Sequence, residues 1–260
     1  ARKDILTLFK EMNIDAVILN ETDTKLGGVE TWTHAKACAE LFKKNAERID
    51  GILVSLPNFG DEKGVADAIK LSGLNVPILV QAYPDDLGQL TVERRRDGFC
   101  GKISVCNDLR QYGYAYSLTD LHCVHPNTES FKNDLSKFVS VCRVTKGIKT
   151  ARLGAIGARP GNFNTMRFSE KMLQSFGVSV VTVDFSEILG NATRLADSDA
   201  FVKTRLDEIR AYAKSDGVPA PELVRMAKLG VAITNWMNEY DLTASAIQCW
   251  TSLQKNYGIN

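Results

Sequence analysis

The stretch ARLGAIGARPGNFNTMRFSEKMLQSF, residues 151–176, decides how the chain is read. It opens as an apolar strand, ARLGAIG, and crosses a tight polar turn, RPGNFNT. It then enters MRFSEKMLQSF, whose apolar residues recur at helical spacing. Strand, turn and helix in that order form the repeating unit of an α/β fold, and such folds bind small ligands beyond the carboxyl ends of their strands. The turn after this strand carries the densest set of polar groups at any strand end in the chain.

Downstream the alternation continues with a strand at Val178–Val183 and a helix from Ser186 to Leu195. Asp197-Ser-Asp then caps a helix through Tyr212, and Pro219 and Pro221 start a long helix ending near Tyr240. Thr243–Gln248 leads into a last helix, Trp250–Tyr257.

Upstream, the same reading gives a helix over 2–12, a short buried strand at Asp15–Leu19, a polar loop at Asn20–Gly28 and a helix from Val29 to Ile49. A strand at Gly51–Leu56, a helix at Lys63–Leu71 and a strand at Pro77–Gln81 follow. Residues 82–97 lose all periodicity and read as a long exposed loop. ISVCND suggests a short strand, LRQYGYAYS a helix and Asp120–Val124 a further strand. Thr128 is a good N-cap for a helix running to Val144, and TKGIKTAR forms a crossover. The pattern implies two Rossmann-like or flavodoxin-like doubly wound α/β domains with mainly parallel sheets, divided as 1–148 and 149–260. Three helices end in a short breaker and an aliphatic residue that enters a strand (MNIDAVIL, LNVPILV, FGVSVVTV), and YGIN at the C-terminus has the same form with no strand after it. The first helix likewise lacks a preceding strand, so both ends are expected to be truncations of a longer protein.

The balance of 32 basic against 31 acidic residues gives no charge excess that points to nucleic acid or an anionic membrane. No apolar run reaches the length of a membrane span and no signal peptide is visible, so the expectation is a soluble, cytoplasmic protein. Six cysteines without a CxxC pair are expected to be reduced thiols.

The residues that follow the strands are Asn20, Glu21 and Asp23; Pro57 and Asn58; Gln81, Tyr83, Asp85 and Asp86; Arg159, Asn162, Asn164 and Arg167; and Asp184. Amides, hydroxyls and single charges of this kind suit a sugar, whose hydroxyls both donate and accept hydrogen bonds. Gly154, Gly157 and Gly161 are spaced GxxGxxxG, which is neither a dinucleotide nor a phosphate-loop fingerprint. They either permit a tight turn or help present Arg159 and Asn164 to a ligand. His122 and His125, read on a strand, would point to opposite faces, and His34 lies in a helix, so no set of metal ligands emerges. No nucleophile motif is present. Asp85-Asp86 read as turn caps, Arg94-Arg95-Arg96 as a solvated run, and Trp236, Trp250, Phe163 and Phe168 as core.

LVSLPNFGDE (53–62), PILVQAYPDD (77–86), RPGNFNTMRFSEKML (159–173) and AIQCWTSLQKNYGI (246–259) together resemble the L-fucose and L-arabinose isomerase superfamily, and most closely its fucose-isomerase-related branch. The resemblance spans nearly the whole chain. It implies two α/β domains followed by a third, in a homo-oligomer, a trimer or hexamer, with active sites between subunits. The implied reaction interconverts an aldose and a ketose through an enediol, with Mn²⁺ polarising the substrate oxygens. The family's catalytic and metal-binding carboxylates and histidine are expected after the strand that would follow YGIN, so no catalytic or metal residue is assigned within 1–260. The positions that match are substrate-binding ones: Arg159, Asn164, Met166, Arg167 and Gln248. On this reading the chain is the N-terminal and middle part of a monosaccharide isomerase, inactive alone. The alternatives are a two-lobed sugar-binding or sensor module without catalysis, or a structural oligomerisation fragment.

Overall fold

In the computed structural model, which describes residues 1–248 and 251–259, the chain divides into two compact units, Ala1–Lys146 and Gly147–Asn260. Both are α/β with parallel sheets.

The first unit contains α1 (Arg2–Glu11), α2 (Trp32–Lys44), β1 (Ile52–Leu56), α3 (Glu62–Ser72), β2 (Ile78–Ala82), α4 (Gly98–Gln111), β3 (Ser117–Leu118) and α5 (Glu129–Lys149). Its sheet has the order β1-β2-β3, all parallel, with Ile52 opposite Ile78 and Leu79 opposite Ser117. Every residue of β2 is buried, as a central strand between helical layers requires. Ile78 and Val80 pack with α3 and α4 through Ala66, Ile69, Val105 and Leu109. Leu79 points the other way, to Ile5 and Leu8 of α1 and to Phe131, Leu135 and Phe138 of α5. The two-residue period of the strand thus divides the core into two clusters.

The second unit contains β4 (Arg152–Ile156), α6 (Glu170–Ser175), β5 (Ser179–Val183), α7 (Phe185–Arg194), α8 (Ala200–Tyr212), α9 (Ala220–Glu239) and β6 (Ala244–Ile247). Its sheet runs β5-β4-β6, again parallel, with Ile156 paired to both Val183 and Ile247. Ile156, Ile188, Ala232 and Trp236 close one core with Leu253 and Tyr257 of the last helical turn. Val202 of α8 packs with Ala227 and Val231 of α9 in a smaller one. A Cβ on Gly154 would stand 2.6 Å from the Trp236 ring, so this glycine lets the indole lie against β4.

Several elements differ from the sequence reading. Residues 15–19 form no strand: the Leu19 carbonyl accepts from the Arg2 guanidinium, its side chain packs on Ala35, Cys38 and Ala68, and Asn20 N–H bonds the Asp23 carboxylate. Side chains have taken the polar groups that a ladder would use. Helix α2 begins at Trp32, capped by Thr31 Oγ1, and a separate 3₁₀ turn, Ala46–Arg48, follows it. ISVCND is helical, within α4, because Val105, Cys106 and Leu109 face the core at helical spacing. The strand expected at Asp120–Val124 is replaced by the shorter β3, and residues 120–123 form bends, so His122 and His125 do not share a strand. Thr128 does cap α5, accepting from Phe131 N–H at 3.3 Å, but the helix runs on to Lys149 and absorbs most of the crossover. The helix expected over MRFSEKMLQSF is shorter: Asn164–Met166 form a 3₁₀ turn, and α6 covers only Glu170–Ser175. Residues 244–247, read only as a lead-in to a helix, are β6. The last helix is a π-type turn, Leu253–Tyr257, and the expected start at Trp250 lies outside the described residues.

Among the described residues no helix is long and apolar enough to cross a membrane. Cys38, Cys100, Cys106, Cys123 and Cys142 are free thiols, and burial pushes those of Cys38 and Cys142 up to about 11.

Candidate functional site at the carboxyl edge of the second sheet

β4 lies between β5 and β6; the connection leaving its carboxyl end runs through α6 to β5, and the chain returns from β5 through α7, α8 and α9 to β6. The carboxyl ends of all three parallel strands therefore lie along one edge, where ligands of such sheets bind. Gly157, the residue after β4, takes a positive φ of 80° and turns the chain away. Gln248 N–H donates to the Ile156 carbonyl at 3.0 Å, which extends the β4–β6 ladder by one residue. Its side chain then folds over Gly157, and Gln248 Oε1 accepts from Ala158 N–H at 3.1 Å. A Cβ on Gly157 would lie 2.7 Å from that oxygen. The Gln248 amide is therefore oriented by the backbone of the turn after β4, and its Nε2 makes no hydrogen bond to the described residues.

Gly157, Ala158 and Gln248 form one wall of an open cavity of about 690 Å³. The remaining described lining comes from Thr182 and Val183 of β5, from Asp184, Phe185, Ser186, Leu189, Gly190 and Thr193 at and along α7, and from Ser252, Asn256 and Tyr257. Asp184 is the N-cap of α7: its Oδ1 accepts from Ser186 N–H at 2.8 Å and from Ser186 Oγ at 2.5 Å. These bonds, the hydroxyl's foremost, hold the carboxyl below its ordinary value of 3.8. Hydroxyls and amides make up most of the polar lining, with one carboxylate. Such a wall can bind several sugar hydroxyls at once.

Of the five residues assigned to substrate from the sequence, Gln248 lines this cavity and the other four do not. Arg159 Nη1 donates to the carbonyls of Pro160 and Gly161 at 3.1 and 3.2 Å, and Arg167 Nε donates to the Asn164 carbonyl at 3.3 Å. Both arginines are exposed, and neither pairs with a carboxylate of the described residues. Met166 is exposed beside them, and so is Phe168, which was read as core. Trp236 is buried as expected. Sequence reasoning missed Ser186, Thr193, Ser252 and Asn256. Ser252 and Asn256 do stand four apart, the spacing that puts two residues on one helical face.

The corresponding edge of the first sheet is mostly filled by its own side chains. Gln81 is fully buried between Ser55 Oγ at 2.7 Å and the Val124 carbonyl at 2.7 Å, so it joins strands and offers a ligand nothing. The Tyr83 hydroxyl donates to Asp4 Oδ2 at 3.3 Å, and burial, then that carboxylate, pushes the phenol up. Asp85 Oδ1 accepts from Arg96 and Asp97 N–H, and Asp86 Oδ1 from Gly88 N–H, so the two carboxylates serve the loop. The arginine run is only partly solvated: Arg96 lies over the Tyr83 ring and donates to the Pro57 carbonyl, and Arg95 pairs with Asp97. His34 organises the start of α2, its Nδ1 accepting from Glu30 N–H at 3.3 Å. Among the described residues no three His, Cys, Asp or Glu side chains stand where they could jointly hold a metal ion. The described residues by themselves do not make a manganese site.

A sequence model described as "Fucose/sulfoquinovose isomerase, N-terminal domain" matches residues 1–149. The chain belongs to this fucose-isomerase-related family. It is also similar to the sulfoquinovose isomerase of Alkalicoccus urumqiensis, with 22% identity over 212 residues, covering 80% of this chain and 45% of that protein. The chain spans less than half the length of that curated relative. Membership in a family of sugar isomerases agrees with a cavity lined by hydroxyls and amides at the edge of the second sheet.

Proposed function

We propose that the chain is the sugar-recognising part of an aldose–ketose isomerase, an intramolecular oxidoreductase that moves a proton between C1 and C2 of a monosaccharide through an enediol. The observation that carries the proposal is the Gln248 amide, held by Ala158 N–H at the rim of the cavity, whose Nε2 bonds to none of the described residues and would donate to a sugar oxygen. Thr182, Ser186, Thr193 and Asn256 then receive the remaining hydroxyls. Arg159, Asn164, Met166 and Arg167, one turn away, border the bound sugar on the side of the turn after β4. Their role requires the arginine side chains to release the carbonyls they now hold.

In this reading Mn²⁺ belongs to the complete enzyme, and no described residue is assigned to it and no step is routed through it. The complete enzyme is a cytoplasmic homo-oligomer, trimer or hexamer, and the 260-residue chain by itself gives no exchange. What the chain's own residues do is bind and orient the sugar, so that the oxygens at C1 and C2 are presented in one fixed pose.

The test is aldose–ketose exchange with Mn²⁺, measured for the 260-residue chain and for a chain extended to the length of its relative. Exchange is expected only in the longer chain. There, Gln248→Leu should lower kcat/KM about tenfold or more by removing one oriented hydrogen bond. A longer chain without exchange on any aldose sinks the isomerase reading. Tight sugar binding by both chains, with exchange in neither, would support a binding module instead.

A further inference from the structure

One side of the cavity wall comes from a segment with little structure of its own. Ser252, Asn256 and Tyr257 reach the lining from the turn Leu253–Tyr257 and the residue before it. This is a single π-type turn, and no side chain caps its start at Ser252. Its backbone bonds include Lys255 N–H to the Thr251 carbonyl at 2.8 Å and Gly258 N–H to the Leu253 carbonyl at 2.9 Å. A lone turn fixes several backbone dihedrals for each bond it gains, so it is not stable by itself. What lies outside the turn therefore decides where Ser252 and Asn256 stand.

Those outside contacts come from α9. Leu253, Tyr257 and Ile259 share a core with Leu229, Ala232 and Trp236 of that helix. Apolar burial docks the turn but, being non-directional, sets its rotation loosely. The Tyr257 hydroxyl supplies the direction by donating to the Arg225 carbonyl at 3.1 Å. Among the described residues this is the one hydrogen bond from a side chain of the turn to α9. The Arg225 side chain adds to the grip: a Cβ on Gly258 would stand 3.5 Å from its guanidinium carbon, and Glu222, three residues back along α9, pairs with the guanidinium.

A tyrosine in a cavity wall invites a catalytic role, and two observations oppose it. Its proton is committed to a backbone carbonyl, which only accepts, and Arg225 is not among the lining residues. Burial, against the opposing pull of Arg225, raises the phenol above its ordinary 10.0.

We propose that Tyr257 is a positioning residue of the sugar site: the bond from its hydroxyl to the Arg225 carbonyl fixes the turn so that Asn256, its neighbour in the chain, presents its amide to the sugar. This rests on the sugar-binding reading of the cavity given above and adds to it the device that holds one wall.

The test uses the chain extended to the length of its relative, assayed for aldose–ketose exchange with Mn²⁺ on L-fucose, L-arabinose and sulfoquinovose. On the aldose exchanged fastest, Tyr257→Phe should raise KM about fivefold and leave kcat within about twofold, since a contact equal in ground and transition states acts through KM. The substitution keeps the buried ring, so the fold should survive, as a thermal melt will show. Asn256→Ala should raise KM about tenfold. Adding Tyr257→Phe to it should cost no more than about twofold further, because the hydroxyl then has no amide left to position. The pH profile of kcat/KM should keep its shape in Tyr257→Phe. An unchanged KM in Tyr257→Phe, or a double variant that loses the full product of the two single effects, overturns the inference and leaves the isomerase reading standing. A fall in kcat alone marks a loss of folded protein and overturns it as well. Loss of a limb from the pH profile would make Tyr257 a proton donor or acceptor instead. An extended wild-type chain without exchange on any of the three sugars removes the reading of the cavity and this inference with it.

Discussion

Replacing Gly157 by alanine strikes the one backbone position where the fold and the candidate site depend on the same atoms. Two costs arise. The residue has a φ of 80°, which an L side chain adopts at roughly 1–2 kcal/mol. The new methyl group would also stand 2.7 Å from Gln248 Oε1, 3.0 Å from Gln248 Cβ and 3.3 Å from Phe185 Cβ. The amide oxygen can swing aside, but only by giving up its bond to Ala158 N–H, worth about 0.5–1.5 kcal/mol. The two Cβ atoms belong to the backbone frames of β6 and α7 and give way less readily. Together these place the loss at about 2–4 kcal/mol. Gly161, four residues on in the same turn, supplies the control: its φ is ordinary and a Cβ there would meet nothing within 4 Å. Gly161→Ala should therefore be neutral or gain a few tenths of a kcal/mol from the stiffer unfolded chain. Urea unfolding of both variants, read by circular dichroism, tests the pair, and sugar affinity should fall only in Gly157→Ala because only there is Gln248 displaced. If Gly157→Ala unfolds with wild-type, or if Gly161→Ala falls as far, the geometry assigned to this turn is wrong.

Two ionisable groups of the first unit make opposite pH predictions. Asp108 of α4 has a buried Oδ2 with no hydrogen-bond partner among the described residues, and burial, then the charges of Glu62 and Asp67, raise its carboxyl above the ordinary 3.8. Between 3.8 and that raised value the folded chain binds more protons than the unfolded one, so stability falls as pH rises through this window. Asp108→Asn should accordingly be more stable than wild type at neutral pH, and the gain should vanish on acidification below 3.8; equal unfolding midpoints at pH 7 would refute this. Lys102 is 3% exposed, with its ammonium on Thr119 Oγ1 and the His122 carbonyl, and burial holds it below its ordinary 10.5. Here the unfolded chain binds more protons between the lowered value and 10.5, so wild-type stability should rise with pH relative to Lys102→Met across that window. The difference between the two proteins is the quantity to follow, and a difference that stays flat up to 10.5 would refute the assignment.

Strands β1, β2, β4 and β5 were legible because each is a short apolar run bounded by breakers, and a parallel sheet covered by helices needs such runs. Residues 15–19 satisfy the same pattern and form no strand: a strand is made by its partner, and here the Leu19 carbonyl accepts from Arg2 while its side chain packs on Ala35, Cys38 and Ala68. Strand β6 fails the other way. Its residues are all exposed at the edge of the sheet, so nothing in ASAI had to be strongly apolar, and only the ladder to β4 defines it. ISVCND was misread because a six-residue window cannot separate a buried helix from a strand by periodicity.

The site was legible to the extent that topology could be guessed. The rule that ligands gather beyond the carboxyl ends of strands named Asp184, which follows β5 and lines the cavity, whereas Gln248 came from the family resemblance, because 244–247 were not read as a strand. It also named Gln81, where it failed for a physical reason. Gln81 lies inside β2 rather than after it, and an amide in a buried central strand serves to join it to its neighbours: both of its ends are taken, by Ser55 and Val124. Gln248 has one end taken, by Ala158 N–H, while its Nε2 bonds to none of the described residues. What separates an amide that only joins elements from one that can still meet a ligand is thus the number of bonds the fold leaves unused, a property of the folded neighbourhood that the residue type does not carry. By the same count Asp85, whose Oδ1 secures two backbone N–H groups of its loop, stands on the side of the fold.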